Sequence, residues 1–242
     1  MKTICIIPAR GGSKGLANKN LRILNSKPLI YWPIKAAKLS GVIDNILVST
    51  DSIQIAKAAS QFGAEIPFLR ESKYAEDSTP TEITLKDALL NYEKIVNIKY
   101  DICIFLTATD IFRSIDWIAE AVNILKTKPE IDSAFVVNKT TKNYWKIDKG
   151  NKPKRIISWM RKYSSRQIRN SIFREDTGLA CASRSYLWRE GKRIGENNHL
   201  IINNNLETFI DIHDEYDLFL AEQTIKFFKK KDPQRIKLFL DD

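Results

Sequence analysis

Cysteine, histidine and long apolar runs are scarce in this 242-residue chain, and each scarcity excludes a class of protein. The three cysteines, Cys5, Cys103 and Cys181, are odd in number and form no CxxC pair. That pattern argues against a disulfide framework and against a zinc site. Each lies in an apolar, strand-like run and is expected to be a buried small hydrophobe. No apolar stretch approaches the roughly 20 residues needed to span a bilayer, so no membrane partner is expected. The first apolar run is about five residues long and ends in Pro-Ala-Arg-Gly-Gly, unlike a secretory leader. The expected location is therefore the cytoplasm. Neither GxxxxGK[ST] nor GxGxxG occurs, and there is no Pro/Gly/Ser linker, repeat or low-complexity tract. Residues 1–242 read as a single domain.

The apolar fraction of 43% against 28% charged describes a globular chain rather than a disordered one. Lys and Arg exceed Asp and Glu by 39 − 29 = 10. Such an excess suits nucleic acid, an acidic surface or a polyanionic small substrate. Much of it lies in residues 139–162 and in the tail FFKKKDPQRIK. Neither run interleaves aromatics with cations in the manner of RNA recognition, so no nucleic-acid partner is expected. A solvated face accounts for both.

Apolar segments of strand length alternate with amphipathic ones. TICIIP, NILVSTD, IPFL, DICIFLTATD, DSAFVVN and TGLACAS read as strands, and a further strand is expected to end at Asp211. PLIYWPIKAAKLSG, IQIAKAASQFGA, TEITLKDALLNYEKIV and SIDWIAEAVNILKTK read as helices. Thr79 or Thr81 and Ser114 are the expected N-caps. A last helix starts near Asp214, its acids in the first turn. Continuous apolar strands separated by helices imply an α/β fold, a mostly parallel sheet covered on both faces. Residues 139–173 break this rhythm with basic, short strand-like fragments carrying Trp145 and Trp159, and read as an inserted hairpin or lobe. The tryptophans are expected to anchor a dimer interface.

Ligands in such sheets collect at the carboxyl ends of the strands, and four of those ends are polar: PARGGSKG, STDS, TATD and NKTTKN. The first carries Arg10, Ser13, Lys14, Lys19 and Asn20 within eleven residues, around Gly11 and its neighbours. A strand-to-helix turn does not need so many donors; a triphosphate does, because backbone N–H groups and fixed cations offset its charge. Asp51 is either a nucleotide contact or a turn former.

IPARGGSKG followed by KN and KPLI resembles the opening signature of the CMP-sialic acid synthetases, the acylneuraminate cytidylyltransferases. VSTDS, FLRESKYAEDSTPT, SRQIRNSIFREDTGLA and ETFIDIHDEYDLFLAE resemble further segments of that family in the same order. The resemblance implies a Rossmann-like nucleotidyltransferase that joins CMP from CTP to a nonulosonic acid and releases pyrophosphate. It implies a homodimer, with the insertion as dimerisation lobe. It places Arg10, Gly11, Ser13 and Lys14 at the triphosphate, Lys19 and Asn20 facing the nucleotide, and Arg70 and Thr81 around cytosine and ribose. Arg10, Lys14, Lys19 and Asp211 become the catalytic set. Thr107, Thr109, Arg113, Arg166, Thr177 and Gly178 fall in the sugar subsite, with Arg113 or Arg166 holding the sugar carboxylate. Asp211 falls on the first metal-binding aspartate, for Mg²⁺ with Mn²⁺ as the alternative.

Three positions depart from the family. Thr107 replaces a glutamine, with Asp110 and Ile111 in place of Ser and Pro. Thr177 replaces an asparagine. His213 replaces a second aspartate. The first two leave the sugar open, with Kdo or another keto-deoxy acid as the alternative acceptor. His213 is a metal ligand that shifts preference toward Mn²⁺, a group that orients water or acts as a base, or a structural histidine at a helix start. Asp217 is expected to cap that helix or to support the site from behind. A reading of another class, a non-catalytic nucleotide- or RNA-binding protein, is opposed by the joint presence of Arg10, Lys14, Lys19 and Asp211.

Overall fold

The computed structural model describes residues 1–157, 159 and 170–240. In chain order the elements are β1 (Thr3–Pro8), β2 (Ile23–Leu24), β3 (Lys27–Pro28), α1 (Tyr31–Leu39), β4 (Asn45–Ser49), α2 (Ile53–Gln61), α3 (Thr81–Val96), β5 (Ile102–Phe105), α4 (Ile115–Thr127) and β6 (Ser133–Thr140). There follow β7 (Trp145–Ile147), β8 (Pro153–Arg155), β9 (Ile172–Glu175), β10 (Cys181–Arg184), α5 (Ser185–Arg189), β11 (Asn198–Asn203) and α6 (Glu215–Lys231). The central sheet runs β11-β6-β10-β5-β1-β4, with β9 added alongside β6. β4, β1 and β5 are mutually parallel, as are β6 and β11. β10 and β9 run against their neighbours.

β1 shows why the sheet is central. Cys5 and Ile7 pack into one apolar cluster and Ile4 and Ile6 into another, on opposite faces. A strand buried on both sides needs an unbroken apolar run, which TICIIP supplies. The first cluster takes its helical cover from α1, α2, α4 and α6, through residues such as Trp32, Ile118, Leu125 and Ile225. The second is covered by α3 and α5, through Leu85, Leu89, Tyr92 and Trp188. Each of these burials stabilises the fold by about 1.5–3 kcal/mol. All three cysteines are buried and unpaired, and burial pushes the Cys5 and Cys181 thiols up to about 12.

Several expected boundaries shift. IPFL contributes no strand: Glu65 alone bridges Leu47, and Pro67 has no N–H for a ladder. The N-cap of α3 is Pro80, with no side-chain cap, because the Thr79 hydroxyl donates instead to Lys73 O. Ser114 does cap α4, accepting from Asp116 N at 3.2 Å. The segment before Asp211 is a 3-10 turn, Leu206–Phe209, rather than a strand. Asp214 caps α6 and Asp217 returns the bond, forming a capping box. Within residues 139–173, β7 and β8 form a separate two-stranded hairpin.

Candidate functional site

The parallel strands β1, β4 and β5 all deliver their carboxyl ends to one side of the sheet, and a cleft of about 490 Å³ opens there. From the β1 end come Arg10, Ser13, Lys14, Lys19 and Asn20; from the β4 side Arg70; from α3 Thr81; from the β5 end Thr107 and Thr109; from the segment before α6 His213. Segments far apart in sequence thus meet in one cleft.

The loop after β1 is held in shape by its own bonds. Asp51 Oδ1 accepts from Gly11 N at 2.8 Å, Gly11 O accepts from Ser13 N at 3.0 Å, and the Asn20 amide donates to Arg10 O at 2.9 Å. Asp51 is therefore a turn former, and the Gly11 amide is already occupied rather than free for a phosphate. A Cβ on Gly15 would lie 2.6 Å from His213 O, so only glycine lets this loop touch the acidic segment. Gly15 closes the GGSKG run that marks this loop in the sequence.

Lys19 links the loop to the same segment. Its ammonium donates to Ile212 O at 3.0 Å. Burial lowers its pKa, opposed by the charge of Asp211. Asp211 Oδ1 is buried with no hydrogen-bond partner, while Oδ2 lies 3.3 Å from His213 Nε2. His213 Nδ1 lies 2.9 Å from the Asp211 carbonyl oxygen, so both ring nitrogens face oxygens of Asp211. An orphaned carboxylate oxygen fits a hard divalent cation. Among the described residues no three His, Cys, Asp or Glu side chains gather as a metal group.

At the opposite wall Arg70 is buried and lies over the end of β4. Its Nε donates to Ser49 Oγ at 3.1 Å and its Nη2 to Ser49 O. Burial lowers it to about 10. Tyr74, Glu76, Asp77, Thr79 and Thr84 also line this wall. Asp77 bridges Arg10 and Lys14 with its two carboxylate oxygens.

The sugar-side expectations are met unevenly. Thr107 and Thr109 line the cleft. Thr107 Oγ1 donates to Asp110 Oδ2 at 2.6 Å, and a Cβ on Gly178 would collide with that carboxylate oxygen at 1.8 Å. Burial, reinforced by Asp211, raises the Asp110 pKa. The Arg113 guanidinium is buried, and its Nη2 donates to Thr107 O, Asp110 O and Gly178 O at 2.6, 2.6 and 3.0 Å. It ties the loop together through this one nitrogen, while its Nε and Nη1 are buried without a hydrogen-bond partner. Thr177 is buried, and Gly178 O accepts from Thr107 N at 3.1 Å, tying that turn to the wall. Arg166 lies outside the described residues.

A protein-family model described as "Cytidylyltransferase" matches residues 4–239. The chain is 31% identical over 249 residues to "N-acylneuraminate cytidylyltransferase" of Escherichia coli O18:K1:H7 (strain RS218 / NMEC), covering 98% of this chain and 55% of that protein. It is 30% identical over 219 residues to "CMP-N,N'-diacetyllegionaminic acid synthase" of Campylobacter jejuni subsp. jejuni serotype O:2, covering 90% of this chain and 93% of that one. Among solved structures, a CMP:2-keto-3-deoxy-manno-octonic acid synthetase complexed with CTP superposes with a TM-score of 0.67 at 14% identity, over 94% of this chain and 99% of the other.

Proposed function

The chain belongs to the cytidylyltransferase family, and we propose that it activates a nonulosonic acid with CTP, giving the CMP-sugar and pyrophosphate. One observation carries this reading: Arg10, Lys14 and Lys19 face Thr107, Thr109 and the Asp211–His213 segment across a single cleft at the strand ends. The anomeric oxygen of the sugar bonds to the α-phosphorus of CTP as the α–β phosphoanhydride bond breaks. Pyrophosphate departs, and the hydroxyl proton passes to solvent.

The residues divide this work. Arg10 and Lys14 bind the β- and γ-phosphates and offset the charge of the departing pyrophosphate. Lys19, pinned at Ile212, holds a fixed positive charge between loop and acid. In this reading Arg70 and Thr81 serve the nucleoside, while Thr109 and the Asp110-bonded Thr107 line the sugar side. Asp211 would hold Mg²⁺ or Mn²⁺, with His213 as its neighbour. When bound, the cation supplies charge neutralisation at the phosphates and acidifies the attacking hydroxyl. Positioning and electrostatics account for the rate, since no covalent enzyme intermediate is needed.

The protein acts as a homodimer in this reading. Trp145, Ile147, Ile156 and Phe173 expose large apolar surface around the inserted hairpin, which a second copy would cover. No helix among the described residues is long and apolar enough to cross a membrane, and this reading takes the reaction as cytoplasmic.

Pyrophosphate release should be measured from CTP and each other nucleoside triphosphate, with Mg²⁺ or Mn²⁺, across several nonulosonic acids and Kdo. Release with CTP and a nonulosonic acid supports the reading. Release with Kdo alone, or with a different nucleotide, replaces it.

A further inference from the structure

Both cations assigned to the triphosphate are already engaged by one carboxylate. Asp77 Oδ1 pairs with Arg10 Nη1 and Asp77 Oδ2 with Lys14 Nζ. Asp77 lies in the segment that follows the 3-10 turn Ser72–Tyr74 and leads into α3, and it lines the cleft beside Glu76 and Thr79. Lys14 and then Arg10 hold its carboxyl below the ordinary 3.8. The contact belongs to the cleft rather than to the core: the side chains of Arg10, Lys14 and Asp77 are 34%, 82% and 39% exposed. Exposed ion pairs of this kind add little to folding stability, so the fold gives no reason for the bridge.

The geometry has a chemical meaning. A carboxylate whose two oxygens each take one cation presents the same pair of acceptors as two oxygens of a phosphate group. Without an anion between them, Arg10 and Lys14 would repel each other, and the glycine-rich loop would lose the arrangement that a triphosphate needs. With Asp77 left in place, a triphosphate would meet a like charge at its own binding position.

We infer that Asp77 is an internal counter-ion that exchanges with the substrate's phosphates: it holds Arg10 and Lys14 in the empty cleft, yields them to CTP, and takes them back as pyrophosphate leaves. The inference rests on the triphosphate reading of the loop. It makes Asp77 a positioning residue whose carboxylate competes with both the substrate and the leaving product. Its cost to CTP binding is matched by a faster release of pyrophosphate.

The test is titration calorimetry of CTP and, separately, inorganic pyrophosphate, in EDTA, with wild type, Asp77→Asn and Asp77→Ser. Removing the competing charge should tighten both ligands about fivefold in either variant, with product inhibition by pyrophosphate strengthened in parallel. The gain should shrink when Arg10→Ala is added, because Asp77 then competes with the phosphates at Lys14 alone. Unchanged or weaker binding in Asp77→Asn and Asp77→Ser, while Arg10→Ala still weakens CTP, overturns the exchange and leaves the loop's role standing. Indifference of CTP binding to Arg10→Ala overturns the triphosphate reading and the exchange together. Thermal unfolding of the same samples shows that the exposed substitution leaves the fold intact.

Discussion

The ammonium of Lys19 donates to the carbonyl of Ile212 at 3.0 Å, joining the loop after β1 to the segment before α6. Burial lowers the pKa of this amine and the nearby Asp211 opposes that in part. Lys19→Met keeps much of the stem and removes both the donor and the charge. Turnover should fall about a hundredfold or more, while the unfolding midpoint changes little. Steady-state pyrophosphate release together with thermal unfolding checks it. A variant that loses stability as much as activity would reduce Lys19 to a structural tie.

Asp211 and His213 predict a metal preference. The unpartnered Asp211 Oδ1 and the adjacent imidazole form a mixed oxygen and nitrogen set, which suits Mn²⁺ better than an all-carboxylate pair would. Mn²⁺ binding followed by electron paramagnetic resonance, with CTP present, should weaken at least tenfold in Asp211→Asn. His213→Asp should shift the preference toward Mg²⁺ in competition. Equal Mn²⁺ affinity in wild type and Asp211→Asn would remove the metal from this segment.

Arg113 predicts a loss of a different kind. One of its nitrogens spans the carbonyls of Thr107, Asp110 and Gly178, drawn from the β5 end and from the turn before β10. Burial lowers this guanidinium to about 10. Arg113→Met keeps an apolar stem, leaves the three buried carbonyls without this donor and should destabilise the protein by about 2–3 kcal/mol. Chemical denaturation measures this. A loss confined to the KM for the sugar, with normal stability, would return Arg113 to the sugar subsite.

What the sequence made legible follows from local chemistry. Glycines and cations crowded after an apolar strand marked a loop that lines the cleft, and acids at Asp214 and Asp217 marked the start of α6. The errors arise where distant groups decide. Glu207 is bound by Arg235, and Thr208 shares a buried network with Asn203 and Asn138; these contacts draw the ETFID segment into a 3-10 turn despite its strand-like pattern. The direction in which Arg113 points depends on carbonyls that only the folded sheet brings together. Asp77 was visible as an acid seven residues after Arg70, but its grip on Arg10 and Lys14 belongs to the tertiary structure.

The buried carboxylate of Glu93 predicts the acid limb of stability, away from the cleft. It accepts from Arg189 at 2.5 and 3.1 Å, Lys99 at 2.9 Å and Tyr100 N at 3.0 Å, and only 3% of the residue is exposed. Burial alone would raise its pKa; the bonds from Arg189, Lys99 and Tyr100 overcome it and hold the group below the ordinary 4.5. A depressed folded pKa means that the charged form stabilises the fold above pH 4.5 and that this contribution fades as the pH falls through the folded value. Glu93→Gln should therefore cost about 1–3 kcal/mol near neutrality, allowing for the solvent exposure of Lys99. The gap between wild type and variant should close as the pH falls further below 4.5. Urea unfolding across that range tests it: a gap that stays constant with pH would mean that Glu93 contributes through packing and hydrogen bonding, with its charge irrelevant.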